Sequence, residues 1–185
     1  MGSNHGQGFG PPSLVYLLAG NMLFAARVNG GGRVVAEAER EPQPVLPFLK
    51  PFYDAVIPLA WPLVRVAVGW DLIVHGWGKI LRGPAQQAAL LARDGIDFGV
   101  AFAVFLTFIE LGGGICIALG LFTRFFAAAI AIEMGYLTFH QYWGNGFSWL
   151  NRGYEYTLLW GMVTLAIALR GGGPWSLDRK LGREL

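Results

Sequence analysis

The chain has 185 residues, of which 54% are hydrophobic and only 14% charged, with a formal net charge of +2 and a mean hydropathy of +0.45. A soluble domain carries roughly a quarter charged side chains, so this balance excludes an ordinary water-solvated domain and describes a chain solvated by lipid. The small, scattered positive charge excludes a nucleic-acid partner, and the single cysteine, Cys116, excludes an internal disulfide, a C-x-x-C redox pair and a thiol metal site.

Residues 1–50 read as an N-terminal extension. Within it, 14–26 is apolar but shorter than the roughly 20 residues that a helix needs to span a bilayer. It lacks a basic start, so a signal peptide is not expected. It reads as a segment that lies in the membrane interface or, alternatively, docks to a partner. Residues 29–47 are rich in Gly, Glu, Arg and Pro and read as a linker.

Residues 51–180 form the main domain, followed by a short tail at 181–185. Four spans are predicted, at 55–80, 98–121, 123–143 and 153–169, so the fold class is all-α, an integral membrane four-helix bundle with an N-terminal extension. Pro58 and Pro62 are expected in the first turns of the first span, where a missing N–H costs least. Gly69, Gly76 and the run Gly112, Gly113, Gly114 lie inside spans, where small residues let helices approach closely; the run reads as packing rather than as a phosphate loop. The first connection, 81–97, contains a predicted surface helix at 86–92. The second is only a few residues long and demands a tight antiparallel hairpin. The third carries Asn145-Gly146, a turn signal, between Trp143 and Trp149 at headgroup level.

Basic residues set the orientation. Arg33, Arg40, Lys50, Arg124, Arg170, Arg179, Lys180 and Arg183 fall on the side of the two termini, whereas Arg82, Arg93 and Arg152 fall on the other. Both ends are therefore expected on the cytoplasmic side of a prokaryotic inner membrane.

Ionisable residues inside spans are tolerated when they face a bundle interior or a water-filled cavity. Asp71, His75 and Lys79 are spaced so that each turns about 40° from the last, and Arg65 extends the same polar face. The carboxylates available to Arg65 are Glu110, Glu133 and Glu155, with Glu110 preferred. Glu133 and His140 fall on one helix face, with Tyr136 beside them. A bland account stands beside each. A buried Arg–Glu pair can serve only to fix helix register, and His75 reads as a hydrogen-bonded packing histidine rather than a metal ligand, since no ligand spacing accompanies it. Lys79 and Arg124 read as boundary charges that snorkel, and Cys116 as a small core residue.

These residues resemble a known family. Arg65-Val-Ala-Val-Gly69 with His75-Gly76 and Lys79 is similar to the first-helix signature of DoxX proteins, small prokaryotic membrane proteins. So is Glu110-Leu-Gly-Gly-Gly114 leading through Leu119-Gly-Leu-Phe-Thr-Arg124. Glu155 opens the last span, and Ser176-Leu177-Asp178 resembles the family's C-terminal motif. The resemblance covers about two thirds of the chain, from near Leu63 to Lys180. It implies a four-helix membrane bundle associated with redox chemistry, as in membrane subunits of thiosulfate:quinone oxidoreductase and in thiol-homeostasis systems. The long extension and the intramembrane Asp71 and Glu133 depart from the family's simplest members.

The resulting expectation is a membrane subunit that anchors a protein partner through its extension or its helix faces. A quinone or similar small molecule would sit among Arg65, Asp71, His75, Lys79, Glu110, Glu133, His140 and Glu155. Arg124, Ser176 and Asp178 belong to boundary motifs. No redox cofactor or metal motif is present, so electrons would come from another chain. The alternatives are a non-catalytic accessory subunit and a small transporter, the latter disfavoured by the lack of an internal repeat.

Overall fold

The apolar run that follows Asp54 extends into one 33-residue helix, α1 (Lys50–Arg82), in a computed structural model. The structure describes residues 44–184 and, before them, the backbone of 13–19, 22–28 and 34–36. Because α1 starts ahead of residue 55, Pro58 and Pro62 lie in its interior rather than in its first turns. An interior proline frees the carbonyl four residues earlier, a defect that membrane helices accommodate where neighbouring groups satisfy the freed backbone.

Gly83, with φ 82°, ends α1, and Pro84 opens α2 (Pro84–Arg93) at the position where its missing N–H is harmless. The predicted surface helix is thus present and slightly longer. Its Gln87 is buried and accepts a hydrogen bond from Arg82 Nε at 3.3 Å. α3 (Gly99–Leu119) closes on Gly120 in the left-handed region. The turn 120–122 leads directly into α4 (Thr123–Tyr136), the tight hairpin that the short connection demanded. The chain then continues as a six-residue π-helical segment, Leu137–Tyr142. α5 (Glu155–Arg170) returns across the bundle, and α6 (Leu177–Leu181) caps its end.

By length and composition, α1 and α3 are each sufficient to cross a membrane. α4 reaches similar length only with its π-helical continuation, 14 plus 6 residues. α5 has 16 residues, a rise of roughly 24 Å. Together α1, α3, α4 and α5 make the all-α membrane bundle. Val68, Leu72, Ile109, Ile117, Phe126, Ile130, Met134 and Ile167 form its core, with Cys116 packed against them. The outward faces are apolar as well, with Trp70, Ile132 and Leu169 exposed by 67%, 74% and 72%. Such a surface is solvated by lipid rather than by water.

Glycine sets the spacing of α1 and α3. A Cβ on Gly69 would stand 2.5 Å from the Gly114 carbonyl oxygen and 2.7 Å from Ala118 Cβ, and one on Gly76 would stand 2.7 Å from Leu111 N. Only glycine admits backbones this close. The pairing also fixes level: the helices run antiparallel, so advancing along α1 from Gly69 to Gly76 retreats along α3 from Gly114 to Leu111.

At one end of the bundle the C-terminal segment is clasped to the α3–α4 hairpin. The Asp178 carboxylate, 3% exposed, accepts from Phe122 N at 2.8 Å, Thr123 N at 3.0 Å and Thr123 Oγ1 at 2.7 Å. An anion there satisfies the free N–H groups of α4 and complements its dipole. Ser176 caps α6 by accepting from Arg179 N. Arg124 donates to the carbonyls of Ala168, Leu169 and Arg170 at the end of α5 and pairs with Glu184 at 3.0 Å.

The first 50 residues form a separate unit. There β1 (Ser13–Ala19), β2 (Met22–Val28) and β3 (Val34–Ala36) pair as an antiparallel sheet in that order. Ala19 pairs with Met22, which leaves Gly20-Asn21 between the first two strands, a dipeptide suited to a two-residue hairpin. Strand pairing inside the apolar stretch and the linker was not expected from composition. The remainder of the linker up to residue 43 lies outside the described residues.

Candidate functional site

The four long helical elements and the first and third connections line a half-open cavity of about 1330 Å³. Asp71, His75 and Lys79 of α1 all reach it, as their spacing required, and so do Glu110 of α3, Glu133 of α4 and Glu155 of α5. Phe102, Phe105, Leu106 and Ile109 of α3 supply an apolar wall. Six of the eight predicted intramembrane residues therefore share one chamber.

Two polar groupings line it. In the first, Tyr156 donates its hydroxyl to Asp71 Oδ2 in a very short hydrogen bond. The same hydroxyl lies 3.2 Å from His75 Nε2, and His75 Nε2 is 3.9 Å from Asp71 Oδ1. In the second, Lys79 Nζ donates to Glu110 Oε1 at 2.5 Å and lies 4.0 Å from Glu133 Oε1. These three side chains are 14%, 6% and 11% exposed, and the second carboxylate oxygens of Glu110 and Glu133 are buried with no hydrogen-bond partner. Glu155 accepts from Trp149 N at 3.2 Å, tying the third connection to the start of α5.

Three expectations are corrected. Arg65 does not pair with Glu110. Its Nη2 donates to the carbonyls of Pro174 and Trp175, at 3.4 and 3.1 Å, and the carboxylate acting on it electrostatically is Asp178. The antiparallel register explains the error: Arg65 is level with Gly120, whereas Glu110 is level with Lys79, nearly four turns further along α1. Lys79 is accordingly a half-buried partner of Glu110, not a snorkelling boundary charge. His140 also lies outside the chamber. It is exposed and stacks on Tyr136 at 4.8 Å, beside a smaller cavity of about 340 Å³ with Arg93, Asp94 and Arg152. The π-helical segment that begins at Leu137 breaks the α-helical phase between Glu133 and His140, so seven residues no longer return to one face.

Sequence reading missed Tyr156. The available signal was its place next to Glu155 in the first turn of a span, where a buried phenol needs a polar partner. Arg124, Ser176 and Asp178 occupy the clasp and do not reach the large cavity.

The sequence profile of the DoxX family matches residues 60–143. A protein of Haemophilus influenzae, described there as uncharacterized, is 31% identical over 124 residues, which cover 65% of this chain and 90% of that one. The chain belongs to the DoxX family. No solved structure matches it. The DoxX match carries α1 through the π-helical segment and hence Asp71, His75, Lys79, Glu110 and Glu133. Glu155, Tyr156 and the Asp178 clasp lie beyond the matched residues.

Proposed function

We propose that this DoxX protein is the membrane subunit of a redox-linked system and that its cavity takes a small ring-bearing molecule with carbonyl acceptors, a quinone being the fitting chemistry. The observation that carries this reading is the convergence of His75 and Lys79, whose side chains can donate hydrogen bonds, on one chamber with an aromatic wall. Its volume of about 1330 Å³ exceeds that of most small-ligand sites, roughly 300–1,000 Å³. Polar donors on one wall would orient carbonyl oxygens, and Phe102 and Phe105 on another would pack against the ring. When bound, a quinone supplies the electron-carrying ring; this chain binds it and orients it. The electrons come from a partner chain, anchored through the extension or the helix faces. The subunit is multi-pass in a prokaryotic cytoplasmic membrane, with both termini on the cytoplasmic side, a reading that rests on the distribution of Lys and Arg.

The test is isolation from native membranes in mild detergent, with mass spectrometry of the co-purified proteins and quinone analysis of the lipid extract. Enrichment of quinone over bulk membrane, together with a redox partner, is the expected result. The clasp favours a second reading, because Arg65, Arg124 and Asp178 are all spent on structure. A partner without quinone enrichment would select a non-catalytic accessory subunit instead.

A further inference from the structure

Within the large cavity, two carboxylates face one cation. Lys79 Nζ lies 2.5 Å from Glu110 Oε1 and 4.0 Å from Glu133 Oε1. One ammonium cancels one negative charge. The second charge, buried in the bundle, carries a desolvation cost that Lys79 alone does not offset. Several of the other titratable groups lining the chamber are engaged elsewhere. Tyr156 of α5 binds Asp71 and His75 of α1, and Glu155 of α5 accepts from Trp149 N. Asp94 pairs with Arg93 at 4.0 Å, and Arg152 lies where the large and small cavities meet.

A second observation is independent of charge. The outer oxygen of Glu110, a residue only 4% exposed, has no hydrogen-bond donor, and neither has that of Glu133. Two orphaned buried acceptors beside a single committed lysine lack one donor, and a carboxylic acid O–H is a donor that a carboxylate is not.

We propose that Lys79, Glu110 and Glu133 together hold one exchangeable proton, carried by Glu133 on the cavity wall. Glu110 makes the short contact with Lys79, and Glu133, further from the ammonium, takes the proton. The site then offers its ligand a proton as well as a binding surface, a role that rests on the cavity being a ligand site. A proton moves between Glu133 and a group in the cavity with no bond broken other than the O–H, and the lysine–carboxylate pair persists throughout.

Infrared spectroscopy of the full chain in lipid nanodiscs, without added ligand, tests the proton directly. The expected spectrum at neutral pH contains a protonated-carboxyl C=O band that shifts in D2O, because the cavity gives solvent access. Glu133→Gln, which keeps the shape and removes the titratable group, should abolish the band. Lys79→Met removes the cation that offsets one of the two negative charges and should strengthen it. A wild-type spectrum without this band, or a band that survives Glu133→Gln, overturns the proposal. Because no ligand takes part, a chamber that fails to bind quinone leaves this result standing, and the two readings fail separately.

Discussion

Arg65 and Lys79 sit on one helix yet meet different partners, and the difference lies in level rather than in chemistry. Arg65 is 1% exposed and is held by the carbonyls of Pro174 and Trp175 beside Asp178. A buried guanidinium stays charged, so removal of Asp178 strands it. Arg65→Ala and Asp178→Asn should each lower stability in detergent by about 3 kcal/mol, measured by thermal unfolding, and their effects should be strongly non-additive. Arg65→Ala with Glu110→Gln should instead add to within about 0.5 kcal/mol, because the two do not touch. Tyr156→Phe removes the hydroxyl that Asp71 and His75 share and should cost about 1 kcal/mol, the usual scale for one hydrogen bond. The types of these residues were legible in the sequence, and so was the polar face formed by Asp71, His75 and Lys79. Their partners were not, because partner choice requires the register between two helices. That register is written in backbone contacts at Gly69 and Gly76 rather than in any periodicity along one chain.

The helices themselves were legible because lipid imposes a simple rule: the backbone must satisfy its own hydrogen bonds, and the side chains must be apolar for a bilayer's width. The four long helical elements and the surface helix α2 fall within a few residues of expectation, apart from the early start of α1. The π-helical segment Leu137–Tyr142 was invisible, since apolar content is unaffected by one extra residue in a turn. It nevertheless moved His140 out of the chamber. Likewise, apolarity at 14–26 did not separate a helix-like interfacial segment from paired strands, although Gly20-Asn21 was a usable hairpin signal. Close packing of α1 on α3 yields a direct prediction at this scale. Gly69→Ala and Gly76→Ala push the helices apart and should cost about 1–3 kcal/mol each. Gly78→Ala, on the same helix with nothing within 4 Å of the new methyl, should be neutral or slightly stabilising in the same thermal assay.

The helical bundle is clasped at one end and hollow towards the other. The clasp joins the last residues to the α3–α4 hairpin through Asp178 and Arg124, while the chamber draws residues from every span and from the first and third connections. A reporter active only outside the cytoplasm should give signal when inserted near Gln87 and none when fused after the C-terminal end; the reverse pattern would invert the proposed orientation. The chamber as a ligand site is the central claim. Its most direct test is titration of the nanodisc-embedded protein with a short-chain ubiquinone, read as quenching of the fluorescence of Trp149 and Trp160, which line the chamber. Saturable quenching is predicted, with Lys79→Met and His75→Phe each raising the apparent Kd several-fold, as expected when a hydrogen bond worth about 1 kcal/mol is lost. Quenching that never saturates, or that saturates identically in both variants, would contradict the account.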